Sequence, residues 1–225
     1  MALIIFLVEC GLEIIPRNLR VHPAVKKNIR EHNYSSQLLD NALHHSAMIK
    51  LPNFRKRGRP DILHACLLNI LGSPANKAGS IKLYVHTIHN RIFEFNPEIK
   101  ITRNYNRFKG LMAKVLIDGD IQANGTSLIT ELHHNLNKFI LSFQETDVIL
   151  CTSKGKILND YSELLKNKSN FKNHLIIIGG FQKGYFSNDF TELNANRISI
   201  SQYSLDAWIV VSKVISLYEI INDIF

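Results

Sequence analysis

Two segments of this chain, Leu3-Ile4-Ile5-Phe6-Leu7-Val8 and Leu175-Ile176-Ile177-Ile178, are unbroken apolar runs rich in branched side chains. A strand with one wet face alternates apolar and polar residues. An unbroken run therefore predicts a strand buried on both faces, the condition met in a parallel sheet covered by helices on each side. The expected fold class is α/β. With 45% hydrophobic and 20% charged residues over a length of 225, the composition is that of an ordinary folded globule, and global disorder is excluded.

The rest of the chain fits strands and helices in alternation. Strands are expected at Leu3–Val8, Asp147–Cys151, His174–Ile178 and Arg197–Ile200, and helices around Pro23–Glu31, Asp61–Leu71, Arg107–Leu116 and Tyr161–Lys166. Pro60 suits a first helical position, where its missing N–H costs nothing. Gly72 with Pro74 is expected to stop that helix. Ile81–Ile88 and Arg91–Phe95 read as an antiparallel hairpin joined near His89-Asn90. Asp118–Gly125 reads as a turn-rich seam between two halves, with Asn124-Gly125 its strongest turn signal. From about Leu205 a terminal helix carries Trp208, Ile209, Val211, Ile215, Tyr218, Ile220 and Ile224, apolar nearly all round; it is either the central helix of the monomer or, the favoured reading, a contributor to a subunit interface.

Charge is distributed unevenly. Lys50 to Lys114 holds thirteen Lys/Arg against three Asp/Glu, while the remainder holds fourteen against sixteen. Clustered cations suit phosphate backbones, since each neutralised phosphate releases condensed counterions. Two runs stand out: Arg55-Lys56-Arg57-Gly58-Arg59, and Lys100 to Lys109, in which Tyr105 and Phe108 interleave with cations as RNA stacking would require. The competing reading is a merely soluble basic face.

Cys10, Cys66 and Cys151 are odd in number and share no short spacing, which gives neither a disulfide framework nor a zinc knuckle and fits a reducing, cytoplasmic setting. The apolar start lacks a basic leader region and runs into Glu9. The apolar carboxyl end is interrupted by Asp206, Lys213, Glu219 and Asp223. A soluble protein is expected, with no membrane partner. Ten histidines yield no metal-ligand spacing, and no metal is expected. Cys151 lacks a basic partner nearby in sequence and reads as a buried small apolar residue. Ser187 and Ser199 show no nucleophile-elbow context.

Ile176 to Gly184 is a buried strand breaking into the glycine loop Gly179-Gly180-Phe181-Gln182-Lys183-Gly184. Its spacing matches neither the dinucleotide nor the P-loop fingerprint, so alone it is a weak signal that reads as a tight turn sooner than as a ligand loop. A second strand, Arg197–Ile200, also ends in a polar loop that feeds a helix. Two such loops at the carboxyl ends of adjacent strands form the usual ligand crevice of an α/β sheet. Asp61 follows Arg59 by two and opens a helix; it reads either as a helix-start residue or as a carboxylate that directs Arg59.

Several motifs resemble one family in the same order along the chain. Arg57-Gly58-Arg59-Pro60-Asp61-Ile62-Leu63-His64 resembles its Arg-Pro-Asp helix start. Leu71-Gly72-Ser73-Pro74-Ala75-Asn76-Lys77-Ala78-Gly79 resembles its Ser-Pro-x-Asn-Lys-x-Gly turn. Ile101 to Met112 resembles its Arg-aromatic-x-Arg-Phe-x-Gly-Leu-Met segment, and Ile178–Gly184 with Ile200–Ala207 its two cofactor loops. The family is that of the SPOUT-class small-subunit ribosomal RNA pseudouridine N1-methyltransferases, and the short chain with Gly-Arg-Pro-Asp is similar to its archaeal branch. Thr102 stands where Pro is common, and Lys100 where some members have Arg, which keeps the charge without the bidentate fork.

The resemblance implies a single SPOUT domain over residues 1–225: a trefoil-knotted parallel sheet with helices on both faces, an inserted antiparallel hairpin at about 76–100 and the knot at about 147–225. It implies S-adenosylmethionine as cofactor, held by Thr152, by Gly179, Gly184, Tyr185 and Phe186, and by Ile200, Ser201, Gln202, Tyr203, Ser204 and Leu205. It implies small-subunit (16S-type) ribosomal RNA as substrate, contacted by Arg59, Lys100, Arg103 and Arg107, with Asp61 orienting Arg59. A homodimer, a role in ribosome biogenesis, and ribosomal proteins or assembly factors as further partners belong to the same expectation. The alternative is a non-catalytic RNA-binding assembly factor or RNA chaperone that uses the same basic face.

Overall fold

The apolar run at the amino end becomes β1 (Ala2–Cys10), buried from Leu3 onward, in a computed structural model that describes residues 2–30, 32–158, 160–165 and 171–225. After β1 the chain makes an excursion through α1 (Pro23–Lys26), α2 (Tyr34–Gln37) and α3 (Asn41–Met48). It returns as α4 (Pro60–Gly72) and α5 (Pro74–Lys77). Then come β2 (Ile81–Thr87), β3 (Ile92–Phe95), α6 (Tyr105–Asp118), β4 (Ile121–Ala123), β5 (Thr126–Leu132) and α7 (Leu136–Leu141). The last third is β6 (Thr146–Ile157), a 3-10 turn at Tyr161–Leu165, β7 (Asn173–Gly179), α8 (Asn188–Thr191), β8 (Asn196–Ser199) and α9 (Ala207–Ile221).

These strands form one eight-stranded sheet in the order β4-β5-β3-β2-β1-β7-β6-β8. β2, β1, β7, β6 and β8 are mutually parallel; β3, β5 and β4 extend the β2 side as an antiparallel ribbon. Successive side chains of a strand point to opposite faces, and β1 divides accordingly. Leu3, Ile5 and Leu7 pack into the larger core with Ile62, Leu63 and Leu67 of α4, Phe108 and Met112 of α6, and Val211, Val214 and Tyr218 of α9. Ile4, Phe6 and Val8 face the other way, against Phe139 and Ile140 of α7 and Phe190 of α8. Helices therefore cover both faces of the sheet. Ile15, Leu19, Val25, Leu39, Ala47 and Met48 form a small separate core under the excursion.

Several expectations are corrected. Helix at Pro23–Glu31 is limited to the four residues of α1, and Glu31 lies outside the described residues. The stretch from Tyr161 is a 3-10 turn, not an α-helix, and Lys166 is also undescribed. Asp118–Gly125 is no seam: Asn124 and Gly125, both at positive φ, turn the β4–β5 hairpin, as an Asn-Gly two-residue loop does. Gly72 does not stop α4 but belongs to it; Ser73 does. Its Oγ donates to Ile70 O at 2.7 Å and accepts from Asn76 N at 3.1 Å, ending one helix and capping the next. Asn76 Nδ2 then donates to Leu71 O and Pro97 O, so the Ser-Pro-Ala-Asn motif fastens α4 to the β3–α6 connection. α9 buries Val211, Val214, Ile215 and Tyr218 but leaves Ile209, Ile220 and Ile221 exposed.

The parallel edge is tightest at Gly155, where an added Cβ would lie 2.5 Å from the backbone N and C of Ile198. Backbone cannot rotate away, so Gly155→Ala should destabilise by about 1–3 kcal/mol. Gly72, with open space around its missing Cβ, should gain roughly 0.5 kcal/mol as Gly72→Ala. Urea unfolding checks both, as opposite shifts in midpoint at unchanged slope.

Candidate active site

Because β6, β7 and β8 are parallel, their carboxyl ends open on the same side of the sheet, the position where α/β sheets bind ligands. A cleft of about 670 Å³ lies there, within the size range of small-molecule sites. Its walls come from Leu150–Lys154 after the regular part of β6, from the glycine loop after β7, and from Ile198–Ala207 after β8. β6 breaks register against β8 between Cys151 and Lys156, which places Thr152–Lys154 along the wall. Gly180 approaches the end of β1 so closely that a Cβ would collide with Cys10 Sγ, and its N–H donates to Val8 O at 2.7 Å. The glycine loop is thereby bound to the central strand.

The structure brings together Thr152, Gly179, Gly184, Tyr185, Phe186, Ile200, Ser201, Tyr203, Ser204, Leu205 and Arg59 around this cleft. Gln202 is exposed and lies outside it. Lys154, Phe181, Arg197, Asp206 and Trp208 also line the cleft; Phe181 and Asp206 lie in the two resembled loops without having been singled out, and the other three were not anticipated. Only the run Thr152-Ser153-Lys154-Gly155 at a strand end offered a signal for one of them. Tyr185 and Tyr203 are exposed aromatics on the rim, and Lys154 Nζ sits 3.7 Å from the Tyr185 ring centroid.

Arg59, the N-cap residue of α4, enters the cleft from the opposite side. It donates from Nε to Asp61 Oδ1 at 2.8 Å and from Nη2 to Asp61 Oδ2 at 2.6 Å, a bidentate pair that fixes the plane of its guanidinium. These hydrogen bonds, with the further negative charge of Asp206, push the Arg59 pKa up despite its partial burial. The neighbouring cations are committed elsewhere. Arg57 forks onto Glu13 at 2.8 and 2.5 Å, and Lys56 Nζ reaches Glu9 Oε2 at 2.8 Å. Burial alone would raise the Glu13 carboxyl, but its hydrogen bonds to Arg57 and His89 outweigh that and hold it below the usual 4.5. The run 55–59 is thus not an array of free phosphate ligands, as its charge suggested; Arg55 is its exposed cation.

Lys100, Arg103 and Arg107 are not in the cleft. They are exposed on the arm leading into α6 and make no ion pair among the described residues. The arm is itself fixed. His64 of α4 donates from Nε2 to Thr102 O at 2.8 Å and stacks on Phe108 at 4.2 Å. Tyr105 OH and Lys109 Nζ both donate to Asp40 Oδ2, at 3.2 and 2.9 Å. Three exposed cations therefore sit on a braced element. The Cys151 thiol is buried and pushed by desolvation up to about 12, so it is inert as a nucleophile. Among the described residues no group of three or more His, Cys, Asp or Glu side chains is arranged to hold a metal, and no helix is long and apolar enough to cross a membrane.

Fold and site together define an α/β protein with a glycine-lined ligand cleft at its parallel strand ends and a guanidinium held over the mouth. Residues 5–219 match the family described as EMG1/NEP1 methyltransferase, and the chain belongs to that family. It is 38% identical to the ribosomal RNA small subunit methyltransferase Nep1 of Staphylothermus marinus, over 96% of each chain. It is 34% identical to the Nep1 of Thermococcus kodakarensis, again over 96% of each. The crystal structure of Archaeoglobus fulgidus Nep1 bound to S-adenosylhomocysteine superposes with a TM-score of 0.84 at 34% identity, covering 99% of this chain and all of that one.

His86 gives the site's support a pH dependence. Its Nδ1 accepts from Glu9 N at 3.1 Å and its Nε2 meets Asn90 Oδ1 at 3.1 Å. Burial pulls its pKa from 6.5 to about 4, against the opposing pull of Asn90 and Asp189. Between those values the unfolded chain binds a proton that the folded one refuses, so stability falls as pH drops from 6.5 to about 4, by on the order of 3 kcal/mol. Denaturant midpoints across that window should show the decline, and His86→Gln should flatten it.

Proposed function

We propose that this chain is an S-adenosylmethionine-dependent methyltransferase that methylates N1 of a pseudouridine in small-subunit ribosomal RNA and assists ribosome biogenesis. The observation that carries the reading is the position of Arg59: it lines the glycine-loop cleft and closes the basic run Arg55–Arg59, so one residue belongs to both sites. The A. fulgidus relative carries S-adenosylhomocysteine on the same fold, and the residues here suit such a ligand. The wall combines apolar Leu150, Ile178, Leu205 and Trp208 for a purine with Lys154, Arg197 and Asp206 for an amino-acid zwitterion. Gly179 and Gly184 leave backbone groups unobstructed.

When bound, the cofactor supplies a sulfonium methyl for in-line transfer to a ring nitrogen. The protein's own part is largely positioning and electrostatics. Arg59 holds the RNA at the cleft mouth and stabilises the charge that grows as the imide N–H loses its proton. Asp61, committed to Arg59 through two hydrogen bonds, orients that guanidinium and is poorly placed to accept a proton itself. Lys100, Arg103 and Arg107 supply phosphate contacts along the α6 arm. A homodimer is supported by the uncovered apolar residues Ile209, Ile220 and Ile221 of α9. A knotted carboxyl third is supported by the strand order: β7 lies inside β6, β8 returns to its outer side, and α9 crosses back to pack against α4 and β7.

Methyl transfer to matched small-subunit rRNA hairpins, one with pseudouridine and one with uridine, tests the reaction: only the pseudouridine hairpin should be methylated. Arg59→Ala should reduce kcat/KM by about 10²-fold or more and weaken RNA binding, while S-adenosylhomocysteine affinity stays near wild type. RNA binding without transfer to either hairpin would favour the non-catalytic assembly factor.

A further inference from the structure

Lys56 belongs to the most basic run of the chain, yet it faces inward. Its side chain is only 12% exposed, and its Nζ donates to Glu9 Oε2 at 2.8 Å. The same ammonium lies 4.5 Å from the centroid of the Phe181 ring. An added Cβ on Gly184 would meet Lys56 Cε at 3.1 Å. Lys56 therefore touches the glycine loop near both of its ends. Three residues on, Arg59 enters the cleft, with its N–H donating to Gly11 O at 2.9 Å. Gly11 has no room for a side chain, since a Cβ there would meet Lys56 O at 2.5 Å. Residues 56–59 are thus pressed onto the chain just after β1.

Glu9 closes the arrangement from below. It is buried, held at φ 52°, a conformation uncommon outside glycine that persists only where the surroundings impose it. Its backbone N–H is held by His86 Nδ1 at 3.1 Å. Of its two oxygens, Oε2 receives Lys56 and Oε1 receives the backbone N–H of Ser187 at 3.2 Å. Ser187 follows Phe186, whose ring contacts Phe181 at 5.4 Å. One carboxylate therefore holds both the segment that carries Arg59 and the loop that lines the cleft.

We propose that Glu9 and Lys56 are positioning residues that couple occupancy of the glycine-loop cleft to RNA engagement by Arg59. A ligand that orders residues 179–187 fixes Phe181, Gly184 and Ser187. Through Lys56 and Glu9 it fixes the backbone on which Arg59 is mounted. Lys56 then acts without touching RNA, and the pair transmits order rather than supplying charge to a phosphate. The inference rests on the methyltransferase reading given above and extends it to the order of binding: RNA is held most firmly once the cleft is filled.

The test measures affinity for the pseudouridine hairpin by fluorescence anisotropy, with and without saturating S-adenosylhomocysteine, in wild type, Lys56→Met and Glu9→Gln. Wild type should bind RNA about fivefold or more tightly when the cleft is filled. Lys56→Met, which keeps the aliphatic packing, should bring that ratio near one and lower kcat on the order of tenfold with a smaller change in KM for S-adenosylmethionine. Glu9→Gln keeps the shape and should show the same loss of coupling if the methionine variant fails to fold. A ratio preserved in the folded variants, or a wild-type ratio near one, overturns the proposal. Failure of wild type to bind S-adenosylhomocysteine overturns the cofactor reading and the coupling with it, an outcome told apart by calorimetry of the cofactor alone.

Discussion

Glu9 and Glu13 lie four residues apart where the central strand β1 gives way to loop, and both carboxylates are buried. A buried charge is tolerated only when paired and hydrogen-bonded. Lys56 and Arg57 answer that requirement at 2.8 and 2.5 Å, with His89 adding a third contact to Glu13 at 3.0 Å. The pairs lash a segment more than forty residues distant in sequence to the end of the sheet's middle strand. Everything that faces the cleft from the α4 side, including the direction in which α4 starts and hence the place of Arg59, follows from that fastening.

The opposite wall is built by a different means. β6, β7 and β8 bring three loops to one end of the sheet because parallel strands share a direction. Glycines allow close backbone approach there: the glycine loop against the end of β1 at Gly180 and Cys10, and β6 against β8 at Gly155 and Ile198. Ionic fastening on one side and close backbone packing on the other leave a cleft whose two walls share Glu9 through Lys56 and Ser187. The α6 arm is braced separately, by Asp40 and His64. Its exposed cations are thus presented on a braced element, while Lys56 and Arg57 serve the fold.

The parallel sheet was legible because Leu3–Val8 and His174–Ile178 cannot leave a face in water. The hairpin at residues 81–95 and the start of α4 at Pro60 were legible from local turn and cap chemistry. Less so were β4 and β5: their short strands, burying little, carry a weak periodic signal, and Asn124-Gly125 suggested a boundary where it makes a hairpin. The extent of α1 was overestimated, since Lys26 to Arg30 has charge without a continuous apolar stripe to hold a longer helix. Most cleft residues could be placed from strand ends and motif resemblance. Lys154, Arg197 and Trp208 could not: they sit within β6, β8 and α9, and which side of a regular element meets the cleft is set by how strands and helix pack, not by residue type.

The sequence by itself determined the class of fold, the strands that supply the loops, and the localisation of excess positive charge between Lys50 and Lys114. These are local or compositional properties: an apolar run must be buried, and a helix start needs its cap, whatever the rest of the chain does. What only the tertiary structure decided is which cations are free. Lys56, Arg57, Arg59, Arg103 and Arg107 are alike as charges in a row. Lys56 and Arg57 are consumed by Glu9 and Glu13, Arg59 is aimed by Asp61, and Arg103 and Arg107 remain exposed. That division depends on carboxylates brought within 3 Å by folding, and an ion pair across such sequence distances leaves no periodicity to read.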